Sequence, residues 1–182
     1  MKTFLRTTSL AATIAALALT AAPAQAASLV SATPQAKAKV KILKALTLVS
    51  DADLDFGTVV LSGAGAWSGD TVTVSNAGVQ SCTANLTCSG TTSAASYNVT
   101  GSNNAVVTVT VPASVTINNG PGGVGGASLT VATTKTFAGT TVTMPNAGNA
   151  GIDFEIGGSI ALASTTADGF YQGDIVVTAD YQ

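Results

Sequence analysis

The chain has 182 residues, of which only 9% are charged, with no histidine, two cysteines and a formal net charge of −2. The missing histidine removes His-based triads, most zinc sites and the commonest general base. Seven Lys and Arg in the whole chain cannot build the distributed basic face that neutralises phosphates, so nucleic acid is not an expected partner.

The first 26 residues read as a secretory signal peptide. A basic start (Lys2, Arg6) precedes an apolar run from about Leu10 to Ala22, and Ala24-Gln25-Ala26 gives the small-residue cleavage signature. The run is too short for an ordinary membrane span, and no later stretch is continuously apolar enough for one. The mature protein, 27–182, is therefore expected to be exported through the periplasm to a secreted or cell-surface location, with no transmembrane segment. Its 156 residues suit one domain, and its five lysines against nine acids give a net charge of −4.

Residues 27–43 form an N-terminal extended segment or first edge strand, ahead of a β-domain over 44–182. Val30, Ala32, Pro34, Ala36, Ala38, Val40 and Ile42 share one face of an alternating pattern; Ser31, Thr33, Gln35, Lys37, Lys39 and Lys41 share the other. A lysine-lined strand suits a sheet edge, where charge discourages unwanted pairing. Such a strand either starts this domain's own sheet or is available to another subunit, through Ala36, Ala38, Val40 and Ile42.

The next stretch, "DADLDFG" (51–57), has aspartates at positions 1, 3 and 5 of a helix-loop-helix calcium loop. That loop needs Gly at position 6 and Glu at position 12, where this chain has Phe56 and Ser62. Asp51, Asp53 and Asp55 stay as weak metal candidates for a looser calcium site. The alternation instead predicts a strand, with Leu54 and Phe56 inward, Asp53 and Asp55 solvated, and Gly57 permitting a bend or bulge before "TVVL". Trp67, alone in "GAGAWSG", is either a platform for a sugar or a cap on the core. Cys82 and Cys88 bracket "TANLT", and an even cysteine count in an exported chain predicts a disulfide stapling a turn. The spacing is not Cys-x-x-Cys, and no basic neighbour would lower a thiol pKa, which argues against a redox role.

From there the pattern is period two, rich in Val, Ile and Thr. It runs through 71–75, 106–112, 114–117, 128–132, 140–144, 152–156, 159–162 and 173–182, punctuated by Gly, Pro and Asn clusters. About nine or ten short strands predict an all-β, antiparallel β-sandwich in a single domain, with a barrel as the alternative. "NNGPGGVGG" (118–126) lacks the Lys-Ser/Thr of a phosphate loop and reads as a hairpin connection. Asp153 and Glu155, flanking Phe154, read as solvation of an outer strand face rather than a glycosidase pair. Lys135 reads as a solvated turn or edge residue. No catalytic residue or cofactor is expected, and the chain is not expected to be an enzyme.

Two ends of the chain carry a resemblance. "KALTLVSDADLDFGTVV" (44–60) follows the lysine-faced segment, and the chain closes "GFYQGDIVVTADYQ" (169–182). In order and composition these resemble the secreted bacterial family known as domain of unknown function 4402. More loosely they resemble spore-coat-U-like and fimbrial pilin subunits. The resemblance implies an immunoglobulin-like β-sandwich on or outside a bacterial envelope. It further implies a structural subunit, pilin-like or fimbria-like, whose partners are copies of itself or related surface subunits, handled by periplasmic assembly proteins. A monomeric secreted binding module for calcium or carbohydrate is the alternative.

Overall fold

The computed structural model describes residues 29–146 and 150–182; the signal peptide expected at 1–26 lies outside them. The chain divides between Val40 and Lys41 into two units. In the first, the described residues 29–40 are exposed and belong to no strand. The second unit, 41–182, is all-β and antiparallel.

Its strands are β1 (Thr47–Ala52), β2 (Thr58–Leu61), β3 (Ser68–Val74), β4 (Gln80–Cys82), β5 (Leu86–Ser89) and β6 (Ala95–Thr100). They continue as β7 (Val106–Thr110), β8 (Ser114–Asn118), β9 (Ser128–Lys135), β10 (Thr141–Thr143), β11 (Ile152–Ala163) and β12 (Thr178–Tyr181). Thus twelve strands form among the described residues where the alternation counted nine or ten. Short β4 and β5 are too brief to show a period. The pattern at 152–156 and 159–162 is one strand, because Gly157 and Gly158 continue the ladder instead of breaking it. Conversely, only Thr178–Tyr181 of the expected 173–182 strand is paired, and residues 29–46 are in no ladder.

A large sheet of seven strands, a three-stranded sheet ordered β10-β7-β12 and a β2–β5 ribbon make up the domain. Strand β11 organises the large sheet. Ile156 pairs with both Ala95 of β6 and Lys135 of β9, and Gly158–Ile160 pair with both β3 and β9. A strand has two edges, so β6 and then β3 succeed each other along one edge while β9 takes the other. That crossing needs glycine. A Cβ on Gly157 would lie 2.5 Å from the Val74 carbonyl oxygen, and one on Gly158 would lie 2.8 Å from Val131 Cγ1.

The inner face of this sheet carries two apolar clusters. Toward the start of β11, Tyr97, Val99, Phe154 and Ile156 meet Val107 and Val109 of the three-stranded sheet. Phe154 stacks on Tyr97 at 5.5 Å between ring centroids and takes Phe137 edge-on at 5.3 Å. Toward its end, Val72, Val131, Ile160 and Leu162 meet Leu86, with Val59 of the ribbon packed against them. The result is a sandwich-like arrangement whose second layer is made of two separate pieces.

The chain enters this body through a clamp. The Tyr181 hydroxyl donates to the Lys44 carbonyl at 2.9 Å and accepts from the Ser102 N–H at 2.7 Å. The Lys44 N–H in turn donates to Ser102 Oγ. The last strand thereby fixes the first residues before β1. Lys135, expected as a solvated residue, is half-buried; its ammonium lies 4.1 Å from the Phe137 ring centroid and donates to the Gly139 carbonyl.

Candidate functional site

Where the second layer is interrupted, a groove of about 1240 Å³ with mixed polar and apolar lining opens onto the large sheet. Its floor includes Val72, Val131, Ile160 and Leu162, all buried core residues. One wall is residues 53–61, including Leu54, Phe56 and β2; the other is residues 166–175, with Phe170 and Ile175.

Both walls are tied in place. On the first, Asp55 and Ser93 exchange backbone hydrogen bonds at 2.9 and 3.2 Å. The Asp55 carboxylate accepts from the Gly57 N–H at 2.7 Å, and Gly57 turns with φ +66°, so a bend does occur before β2. On the second wall, Asn118 and Gln172 exchange backbone hydrogen bonds, both of 3.0 Å. Asn119 Nδ2 donates to the Asp168 carbonyl at 3.1 Å, and the Tyr97 hydroxyl donates to the Ile175 carbonyl at 3.2 Å. "NNGPGGVGG" is thus the β8–β9 connection, with one short 3₁₀ turn at Pro121–Gly123, and it buttresses a wall.

The groove's chemistry is one-signed. Asp53, Asp55, Asp168 and Asp174 line it, all exposed, and among the described residues no cation does. Burial pushes the neighbouring Tyr97 phenol above its ordinary 10.0, against the opposing Ser50 hydrogen bond and with a further push from the Asp53 charge. Apolar side chains also stand at the mouth: Phe170 is 78% exposed, Val124 76% and Val60 51%. Among the described residues strand β2 pairs only with β5, and its other edge is in no ladder.

The structure scatters the residues singled out in the sequence. Asp51 ends up in β1, Asp53 follows it outside any strand, and Asp55 makes an isolated bridge to Ser93. The strand expected across 51–57 therefore stops at Ala52, although Leu54 and Phe56 are half-buried and the three aspartates exposed. Among the described residues no three His, Cys, Asp or Glu side chains gather as metal ligands. Trp67 is half-buried against the second core cluster, and its Nε1–H donates to the Gly63 carbonyl at 3.3 Å. Cys82 and Cys88 form a disulfide with Cα atoms 6.3 Å apart. It spans the turn and also links β4 of the large sheet to β5 of the ribbon. Ala36, Ala38, Val40 and Ile42 are exposed, Val40 at 82% and Ile42 at 84%. Asp153 accepts from Asn98 Nδ2 on the outer face of β11.

Asp168, Phe170 and Asp174 carried no signal as groove residues. In sequence they belong to a Gly-rich turn and to a run that alternates like a strand. Only the unpaired course of 173–177 turns that run into a wall.

Among the described residues, no helix is long and apolar enough to cross a membrane. No curated protein and no solved structure matches the chain. One family model does match, over residues 46–181, from the entry into β1 through the Tyr181 that clamps it. The chain therefore belongs to the family described as domain of unknown function (DUF4402).

Proposed function

We propose that this is an exported structural protein of the bacterial cell surface, a pilin-like or fimbria-like subunit whose copies associate through strand edges. The observation that supports this reading is the interrupted second layer: a groove floored by core side chains and lined in part by β2, whose one ladder among the described residues is to β5. Exposed backbone edges and apolar floors of this kind are completed by an added strand. The signal-peptide pattern and the looser likeness to fimbrial subunits agree with it. A monomeric module binding calcium or a carbohydrate has less support, since Trp67 is spent on the core and its indole N–H on Gly63.

Unboiled and boiled envelope fractions from the native host, blotted for the mature chain, test the reading. The expected result is a heat-sensitive ladder of regular multiples. A single monomer band under both conditions overturns it.

A further inference from the structure

We propose that residues 37–42 are a processing site for a trypsin-like serine endoprotease, and that the Tyr181 clamp on Lys44 sets where the cutting stops. The inference goes beyond self-association and does not need it.

The sequence concentrates the targets. A protease of this kind holds lysine or arginine in an acid-floored pocket and hydrolyses the peptide bond that follows. Between 27 and 182 the chain has no arginine and five lysines, of which Lys37, Lys39, Lys41 and Lys44 lie within eight residues and Lys135 stands apart. The first three are followed by Ala38, Val40 and Ile42, and none of the residues 35–45 is proline.

The structure divides these lysines into open and closed. Cleavage needs a peptide carbonyl free to enter an oxyanion hole, and flanking backbone free of any ladder. Residues 29–45 are exposed, and the first ladder begins only at Thr47. Lys37, Lys39 and Lys41 stand in this open stretch. The Lys41 ammonium makes one exposed hydrogen bond, to the Gln182 carbonyl at 3.3 Å, which water replaces at little cost.

Lys44 is exposed as well, yet its bond is closed. Its carbonyl oxygen, the atom an oxyanion hole must take, already accepts from the Tyr181 hydroxyl at 2.9 Å, and its N–H donates to Ser102 Oγ. The chain then runs straight into β1, with Leu46 packed against the first core cluster. Lys135 is closed by other means. It ends β9 paired with Ile156, the Thr136 N–H donates to the Glu155 carbonyl at 3.1 Å, and its ammonium is held at the Phe137 ring.

Each cut consumes one water. The carbon–nitrogen bond after the lysine breaks, the water oxygen stays on the lysyl carbon as a carboxylate, and the nitrogen of Ala38, Val40 or Ile42 becomes a new amino terminus. Cutting after Lys41 leaves 42–182, with two lysines against nine acids and a net side-chain charge of −7 in place of −4. Processing thereby strips the exposed lysine face and leaves an almost wholly acidic domain.

Dilute trypsin acting on the mature, disulfide-intact chain, followed by intact mass, tests the site. Products beginning at Ala38 and Val40 are expected first, and the chain beginning at Ile42 as the limit product. Cuts after Lys44 and Lys135 are expected to be at least about tenfold slower than the cut after Lys39, because they wait for local opening. Comparable rates at all five lysines, or resistance at Lys37, Lys39 and Lys41, overturn the inference.

Tyr181→Phe tests the stop. It is expected to speed the Lys44 cut about tenfold or more and to move the limit product to Ala45, with the Lys135 rate within about twofold of wild type. An unchanged Lys44 rate, or an equal rise at Lys135, refutes the clamp as a local stop. Chain recovered from the native host is expected to begin at Ala38, Val40 or Ile42, and upstream of Lys37 when cells grow with a benzamidine-type inhibitor. Chains that begin only upstream of Lys37 without the inhibitor overturn processing. These readouts follow termini and not multimers, so a lone monomer band would end the self-association reading and leave this inference standing.

Discussion

Replacing Tyr181 by Phe removes one oxygen and tests the clamp at the entry to β1. In the native domain that oxygen donates to the Lys44 carbonyl at 2.9 Å and accepts from the Ser102 N–H at 2.7 Å. Lys44 is exposed, so water replaces the hydroxyl there at little cost; Ser102 is buried, so its N–H is left without a partner. A buried polar group stripped of its partner costs about 1–3 kcal/mol, and the expected loss is about 2 kcal/mol. With a urea slope of about 2 kcal/mol per molar, the midpoint of the mature, disulfide-intact chain falls by about 1 M. Gly101→Ala provides the internal check. Its Cβ would lie 2.5 Å from the Tyr181 hydroxyl and push it off both partners, so this change acts on the same interaction. The double variant is expected to lose much less than the sum of the singles. A loss below about 0.5 kcal/mol for Tyr181→Phe at unchanged slope, or strict additivity with Gly101→Ala, would refute the clamp.

Three further outcomes are expected. Gly157→Ala sets a Cβ 2.5 Å from the Val74 carbonyl oxygen, at the point where β11 passes from β6 to β3. Overpacking there costs about 1–3 kcal/mol, measurable as a lower urea midpoint; a stabilised variant would show that β3 gives way freely. Reducing the Cys82–Cys88 bond, or replacing both cysteines by Ala, removes a six-residue-separation crosslink and about 2 kcal/mol in the chain-entropy model. Unchanged thermal unfolding of the reduced protein would contradict that. Hydrogen bonds from Asn85 and Thr83 hold the Asp70 carboxyl below its ordinary 3.8. Its contribution is therefore fully present above that value and lost as pH falls through the lower folded-state value. The stability advantage of wild type over Asp70→Asn should be flat near neutrality and disappear in acid; an advantage persisting at the lowest pH would exclude this carboxylate as its source.

The local chemistry of the chain settled much of the architecture in advance. Alternating Val and Thr at 71–74 and 106–110 can only bury one face, and both segments are strands with Val72, Val74, Val107 and Val109 in the core. The cysteine spacing allowed a tight loop, and Gly57 allowed a bend; both are used as such. Alternation alone, however, says that a segment is two-faced and not whether a neighbour is there to pair with it. Residues 30–42 alternate as well as β7 does, and the described part of them remains outside every ladder, because pairing is decided by partners far away in sequence. The same holds for Gly157 and Gly158, which look like a break until three strands are seen converging on them. The groove is the extreme case. Asp53 and Asp174 are 121 positions apart, and only the gap between two pieces of the second layer makes them one rim. Period and composition determined which faces of this protein are apolar, and the tertiary structure alone decided which of those faces was left uncovered.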